Sequence, residues 1–392
     1  MEMLEYRRKR ILFFLLAFLA LVYLKTDGYG YDYLMDYFRR SENLLAVPAQ
    51  SQGTVEDDLE IVQRIVAAYQ SVASRQENRG NSIWQVIFDH SHKDIHDVFL
   101  QGKVNEAANI LRNPASTNLL YGFDNLAVSI LPHYTTYPVQ EKYAKICLDR
   151  LVRCAEAMGA IRLENPEAYY SQSTPYWKAD DILLKIYTLL GKSLPFPNPF
   201  PLEHGVASSD GIISYRVPQA IYQAWRIKKL LKGIQNPRVL EIGAGLGRTA
   251  LYARHLGIEN YTIVDLPFTA LASGYFLART LGGENVLLSG EVALDASRRI
   301  KFLTPHEFLA DNTSYDLIIN ADGFTEMDPD AAISYWKKIK RCASLFLSIN
   351  HEVNPFTVKE VIDTSSRVDT VERTPYWMRT GYVEEVVRFK PK

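Results

Sequence analysis

The sequence predicts an α/β fold, with a doubly wound, mainly parallel sheet in the C-terminal half and a mostly helical region before it. Three observations carry this. A glycine-rich bend, Gly243-Ala-Gly-Leu-Gly247, joins an apolar strand to a helix-forming run. After Pro237, short apolar runs alternate with helix-length segments, the spacing of right-handed strand–helix–strand crossovers. Before Pro201, apolar residues recur at helical spacing and strand signals are scarce.

The elements follow in chain order. Residues 47–54 lack periodicity and read as a linker. From Val55 to about Leu190 the pattern is helical: Leu59, Val62, Ile65 and Val66 share one face, as do Val104, Ala107, Ala108 and Leu111. Leu183, Leu184, Tyr187 and Leu190 continue it before Gly191. The proline-rich stretch 194–201 can be neither helix nor central strand and is a stiff connector. A helix near 218–231 then leads into the sheet. Strands are expected at 238–242, 261–264, 286–289, 300–303, 315–319, 345–349 and 382–389, with helices from Arg248, through 270–281 and over 329–340. The last strand follows a long irregular stretch and suits an antiparallel edge. The expected units are a basic and apolar segment at 1–30, a helical domain at 55–205 and the sheet domain at 206–392.

With 392 residues, two or three units are reasonable, and 47% hydrophobic content suffices for a large core. A net charge of −1 gives no global drive toward nucleic acid, so none is expected as a partner. Cys147, Cys154 and Cys342 form neither a metal-type pair nor an even set and read as buried thiols. Near the start, Arg7-Arg-Lys-Arg10 precedes the apolar run 11–24. Fourteen residues span about 21 Å as helix, short of a ~30 Å hydrocarbon core. Attachment to the cytoplasmic face of a membrane is the favoured expectation, beside a cleaved signal or a helix packed on the protein.

The bend has the layout of a nucleotide-type cofactor crevice at the carboxyl end of a parallel sheet. Glycines tolerate the dihedrals of a tight turn and leave its backbone open to a ligand. A dinucleotide fingerprint reads G-x-G-x-x-G. Here the third glycine, Gly247, comes one position early, and Glu241 lies two residues before Gly243. A carboxylate there suits an ammonium group, and Asp265, which ends the next strand, can accept from both hydroxyls of a ribose. The pattern favours S-adenosylmethionine over a dinucleotide. The expected cofactor contacts are Glu241, Gly243, Ala244, Gly245, Gly247, Asp265 and Leu266, with Asn320 on the next strand.

Several stretches together resemble a known family: Glu241-Ile-Gly-Ala-Gly-Leu-Gly-Arg-Thr249, Val264-Asp-Leu-Pro267, Gly274-Tyr-Phe-Leu277, Asn320-Ala-Asp-Gly-Phe-Thr-Glu-Met327, Ile349-Asn-His-Glu352 and Pro375-Tyr-Trp-Met-Arg379. Ser214-Tyr-Arg-Val-Pro-Gln219 with Tyr222-Gln-Ala-Trp225 is similar to that family's lead-in helix. The chain resembles the class I S-adenosylmethionine-dependent methyltransferases, and more closely the sugar O-methyltransferases of bacterial polysaccharide clusters. The likeness runs from about residue 80 to the end. It implies a Rossmann-like class I methyltransferase domain, methyl transfer to a sugar hydroxyl, and a sugar or glycan acceptor. Helices ahead of such a domain commonly cover its crevice.

A sugar hydroxyl is a poor nucleophile at neutral pH, so a general base helps. His351, just past an expected strand, is the first candidate and Asp322 the second. Glu326, Trp377, Arg379 and Tyr382 suit an acceptor site, since aromatic faces pack on sugar rings and Arg donates to hydroxyls or carboxylates. Tyr215 and Arg216 are candidates to close over the methionine end. Asp322, Glu326 and Glu352 could hold a divalent cation. The Asp-x-x-His pattern of metal-dependent relatives reads Asp322-Gly-Phe-Thr325 here, so no metal is favoured. His90, His92 and His96 read as a solvated helix face. A nicotinamide-dependent sugar oxidoreductase and a non-catalytic partner in a glycan assembly complex are the alternatives.

Overall fold

The computed structural model describes residues 45–50, 53, 58–73, 82–124, 136–163, 177–293 and 297–391. The segment 1–30, with its apolar run 11–24, lies outside them. Among the described residues no helix is long and apolar enough to cross a membrane.

Strand β1 (Val47–Pro48) precedes helices α1 (Leu59–Ala73) and α2 (Ile83–Ile87). A π-helical turn at Phe88–His92 runs into α3 (Lys93–Leu100), followed by α4 (Val104–Arg112), α5 (Tyr137–Met158) and α6 (Ala179–Leu190). Helical periodicity works as expected in α1, which buries Ile61, Val62, Ile65, Val66 and Tyr69, although Leu59 stays exposed. Gly159 and Gly191 end α5 and α6 in the left-handed region, where a Cβ is costly. His92 and His96 do not form a solvated face. His92 is buried and stacks on Phe268, and His96 accepts or donates a 2.6 Å bond with the Tyr69 hydroxyl.

A small antiparallel sheet then appears that the sequence does not predict: β1, in the expected linker, pairs with β2 (His204–Ser208), and β2 with β3 (Gly211–Ile213). Helix α7 (Val217–Leu230) leads to β4 (Arg238–Ile242), α8 (Arg248–His255), β5 (Asn260–Val264) and α9 (Pro267–Leu281). After these come β6 (Val286–Leu287), β7 (Ile300–Leu303), α10 (Pro305–Ala310), β8 (Tyr315–Ala321), α11 (Pro329–Cys342), β9 (Ala343–His351), α12 (Val358–Asp363), β10 (Val368–Pro375) and β11 (Tyr382–Phe389).

The main sheet has the order β10-β11-β9-β8-β4-β5-β7-β6. The strands from β6 to β9 are parallel, and β11 is antiparallel to both β9 and β10. This is the doubly wound, Rossmann-like arrangement. The chain moves outward from β4 to β5 and the edge strand β6, sets β7 between those two, then returns to lay β8 and β9 on the other side. A ligand crevice belongs at that switch point, beyond the carboxyl ends of β4 and β8. One expectation is corrected: β11 is not the edge. The stretch read as irregular contains β10, whose residues are mostly exposed and include Glu372 and Arg373. Its polar, charged sequence hides it from an apolar-run search and protects the edge it forms.

A continuous apolar core joins the N-terminal helices to one face of the sheet: Ile65, Phe99, Leu111 and Leu148 pack in the same cluster as Ile221, Tyr261, Tyr275 and Leu347. Buried polar contacts reinforce that join. Asp58, ahead of α1, accepts from Arg112, Tyr275 and Arg279. The helical region is thereby held over the carboxyl end of the sheet.

Candidate active site

The glycine bend after β4 adopts the backbone that its composition predicts. Gly243, Gly245 and Gly247 have φ of 71°, 57° and 84°, values that favour glycine. The Gly243 amide donates to the Val264 carbonyl at 2.8 Å, tying the bend to β5. Asp265 holds it from the other side, with Oδ2 accepting from the Gly245 amide at 3.1 Å and Oδ1 from the Leu266 amide at 2.8 Å. The Thr269 hydroxyl and the Ala244 amide also bring donors to this carboxylate.

Glu241 and Asp265 border one cavity of about 790 Å³, together with Gly243, Ala244, Gly245 and Leu266. Both carboxylates lie on the same side of the sheet, and the bend is not filled by packed side chains. Glu241 is buried in β4 and accepts from the Tyr261 hydroxyl at 2.8 Å. Burial pushes Glu241 up to about 7, against the hydrogen bonds from Tyr261 and Thr249. Burial likewise carries Asp265 to about 7, against its amide donors. Two acids that resist ionising in the free protein favour a ligand that brings positive charge or hydroxyl donors.

Gly247 and Asn320 do not line this cavity. Gly247 caps α8, and a Cβ there would meet Leu277 Cδ1 at 2.9 Å, so the glycine serves helix packing. Asn320 is fully buried at the end of β8. Its amide donates to the Ile242 carbonyl, while its oxygen accepts from the Phe324 amide and from Asn350. Asn320 therefore braces the bend from below rather than touching a ligand.

The far end of the cavity is built after β8. Asp322 has φ 64°, a strained value for a residue with a side chain. It is held there by two arginines: Oδ2 accepts from Arg216 Nη1 at 2.8 Å and from Arg379 Nη1. Burial raises its pKa, but Arg379 and Arg216 outweigh burial and keep the carboxyl below its ordinary value. Arg379 also donates to the Tyr382 hydroxyl, and its guanidinium stacks on that ring, 3.7 Å from the centroid. Arg216, Asp322, Glu326, Arg379 and Tyr382 all border the cavity.

Glu326 differs from its neighbour. Burial pushes it up to about 7, the charge of Asp322 adds to this, and Arg216 and Arg379 oppose it only in part. His351 does not reach the cavity. As the last residue of β9 it lies opposite Tyr382 in register, edge-on to that ring, with Nε2 3.7 Å from Glu326 Oε1. Trp377 also stands away, 46% exposed, with its indole donating to Glu156 and facing Arg153. Glu352 is spent on Arg373 at 2.8 Å, away from Asp322 and Glu326. Among the described residues no three His, Cys, Asp or Glu side chains converge as metal ligands.

Sequence reading missed part of the wall. Phe123 and Asp124 reach the bend from the helical region, Trp84 of that region stands beside Glu326 at the far end, and Gln219 and Gln223 come from α7. His306 and Leu309 of α10 complete the lining beyond β7. Of these only Gln219 and Gln223 lie in stretches marked by the family resemblance. The rest carry no local signal, because only tertiary packing brings them to the bend.

No family model matches the chain, and no curated protein matches it. Solved structures do resemble it at low similarity. A putative RNA methyltransferase from Pyrococcus horikoshii is 18% identical over 44% of this chain and 83% of its own, with a TM-score of 0.30. The glycopeptide N-methyltransferase MtfA, complexed with S-adenosyl-L-methionine, is 15% identical over 44% and 94%, with a TM-score of 0.33. The pyocyanin biosynthetic protein PhzM is 12% identical over 45% and 56%, with a TM-score of 0.34. Each spans less than half of this chain, and the fold stands on its own strand order.

Proposed function

We propose that this chain is an S-adenosylmethionine-dependent methyltransferase acting on oxygen, with a sugar or glycan hydroxyl as acceptor. The observation that carries the reading is the pair of buried carboxylates, Glu241 and Asp265, flanking three positive-φ glycines on one cavity wall. Ribose hydroxyls can donate to Asp265 in place of its Thr269 and Ala244 donors, and Glu241 suits the positively charged part of the cofactor. A dinucleotide is disfavoured by the same charges. Its pyrophosphate would sit at the start of α8 among Glu241, Asp265 and Asp124, with Arg248 already bound to carboxylates.

When bound, S-adenosylmethionine supplies a methyl group already activated by a cationic sulfur. The chain's residues then have to hold the acceptor and take its proton. Arg379, Arg216 and Tyr382 offer donors and an aromatic face for a hydroxylated ring. Asp322, ionised and gripped by two guanidinium groups, is a poor proton acceptor; it orients Arg216 and Arg379. Glu326 takes the proton, because its ionisation is balanced near neutral pH and it borders the cavity. His351 stands behind that carboxylate, at 3.7 Å too far for a hydrogen bond. The test is incubation with methyl-labelled S-adenosylmethionine and an extract of cell-surface glycans. Label on sugar oxygen supports the proposal, and label confined to nitrogen or to nucleic acid removes it.

A further inference from the structure

A second acidic feature lies beside the glycine bend, and it comes from the helical region. Arg248, the first residue of α8, is buried between two carboxylates. Its Nε donates to Asp124 Oδ2 at 3.1 Å and its Nη2 to Glu203 Oε1 at 2.6 Å. Glu203 is 0% exposed, and its second oxygen accepts from Asn198 at 2.7 Å. One guanidinium thus hydrogen-bonds two carboxylates, and Arg216 adds a second positive charge near Asp124 without a hydrogen bond to it.

The unmet hydrogen-bonding capacity falls on Asp124. It is 3% exposed, it borders the cavity beside Gly243, Ala244 and Gly245, and its Oδ1 has no hydrogen-bond partner among the described residues. A buried acceptor left unpaired costs about 1–3 kcal/mol, more when charged, so such atoms call for an explanation. Burial, and then the charge of Glu203, drive the Asp124 carboxyl up, against the pull of Arg248 and Arg216. On the same cavity wall, Gln219 is 4% exposed and its Nε2 has no partner among the described residues. An unpartnered carboxylate oxygen and an unpartnered amide donor, on residues bordering one space, are the complement of an amino-acid zwitterion.

We infer that Asp124 and Gln219 form the amino-acid subsite of the cavity, Asp124 receiving an α-ammonium and Gln219 donating to an α-carboxylate. This rests on the S-adenosylmethionine reading and deepens it. The helical region then completes the cofactor site itself rather than only covering an acceptor.

The test uses the full chain and isothermal titration at pH 7.5, with two probes. S-adenosylhomocysteine has the amino-acid end; 5′-methylthioadenosine lacks it. Asp124→Asn is expected to weaken S-adenosylhomocysteine about 10- to 100-fold, the loss of one charge-assisted hydrogen bond, and to change methylthioadenosine less than about twofold. Thermal melting checks that the variant folds, and Asp124→Ser gives the same comparison if the Asn variant does not. Equal weakening of both probes, or of neither, overturns the assignment. A folded wild-type chain that binds neither probe overturns the cofactor reading instead.

Discussion

Replacing Glu326 by Gln should stabilise the protein at high pH while removing its proton acceptor. Burial and the neighbouring Asp322 charge push Glu326 from 4.5 up to about 7 in the folded chain. Between those two values the folded state binds more protons than the unfolded state, so stability falls as pH rises through this window. The cost is absent below about pH 4 and complete above pH 7. A shift of this size corresponds to about 3 kcal/mol, and partial exposure of the side chain, 26%, reduces it to about 1–3 kcal/mol. Glutamine has nearly the same shape and no charge to bury. The difference in unfolding free energy between Glu326→Gln and wild type should be near zero at pH 4.5, grow through pH 6–7 and level off at about 1–3 kcal/mol by pH 8. Urea denaturation at a series of pH values measures it without any acceptor. A difference that is flat with pH, or a variant less stable than wild type at pH 8, would refute the description of this carboxyl. In turnover the same substitution should lower kcat by about 10²- to 10⁴-fold, the usual worth of a general base.

Further expectations follow from the same geometry. Asp322→Asn removes a like charge from beside Glu326 and frees Arg216 and Arg379 to attract it, so the rising limb of the pH–rate profile should move to lower pH. An unmoved limb would show that Glu326 is not the titrating group. Gly245→Ala meets no side chain closer than Phe123 at 3.8 Å, so its cost is the left-handed backbone alone, about 1–2 kcal/mol by denaturation. Gly247→Ala adds a 2.9 Å clash with Leu277 and should cost more; equal losses would contradict the packing role of Gly247. Chelation with EDTA should leave methyl transfer unchanged, since Asp322 and Glu352 are committed to arginines. A loss restored by magnesium or manganese would show otherwise.

Much of the fold was legible because strand ends and glycine bends are local signals. The glycine bend identified β4 and α8, and the apolar runs at β5, β8 and β9 fell close to the observed strands. The polar edge strand β10 and the small sheet of β1, β2 and β3 escaped, because neither has an apolar run to detect. In the candidate site, Glu241, Gly243, Gly245 and Asp265 were readable from spacing, since one turn builds them. The reading of Asp322 and Glu326 was harder. Both are acids on one loop, and only the approach of Arg216 from before α7 and of Arg379 from before β11 separates an ion-paired carboxylate from a protonatable one. Asp124 was invisible for the same reason, lying more than a hundred residues from the bend it borders.

The central claim is that the bend between Glu241 and Asp265 holds an adenosine bearing a charged amino-acid tail. Equilibrium dialysis of labelled S-adenosylhomocysteine against wild type and Asp265→Asn tests it most directly. The account predicts one bound molecule per chain, with at least tenfold weaker binding in the variant and no competition from NADH. Saturable NADH binding, or a folded wild-type chain that leaves the label free, would contradict it.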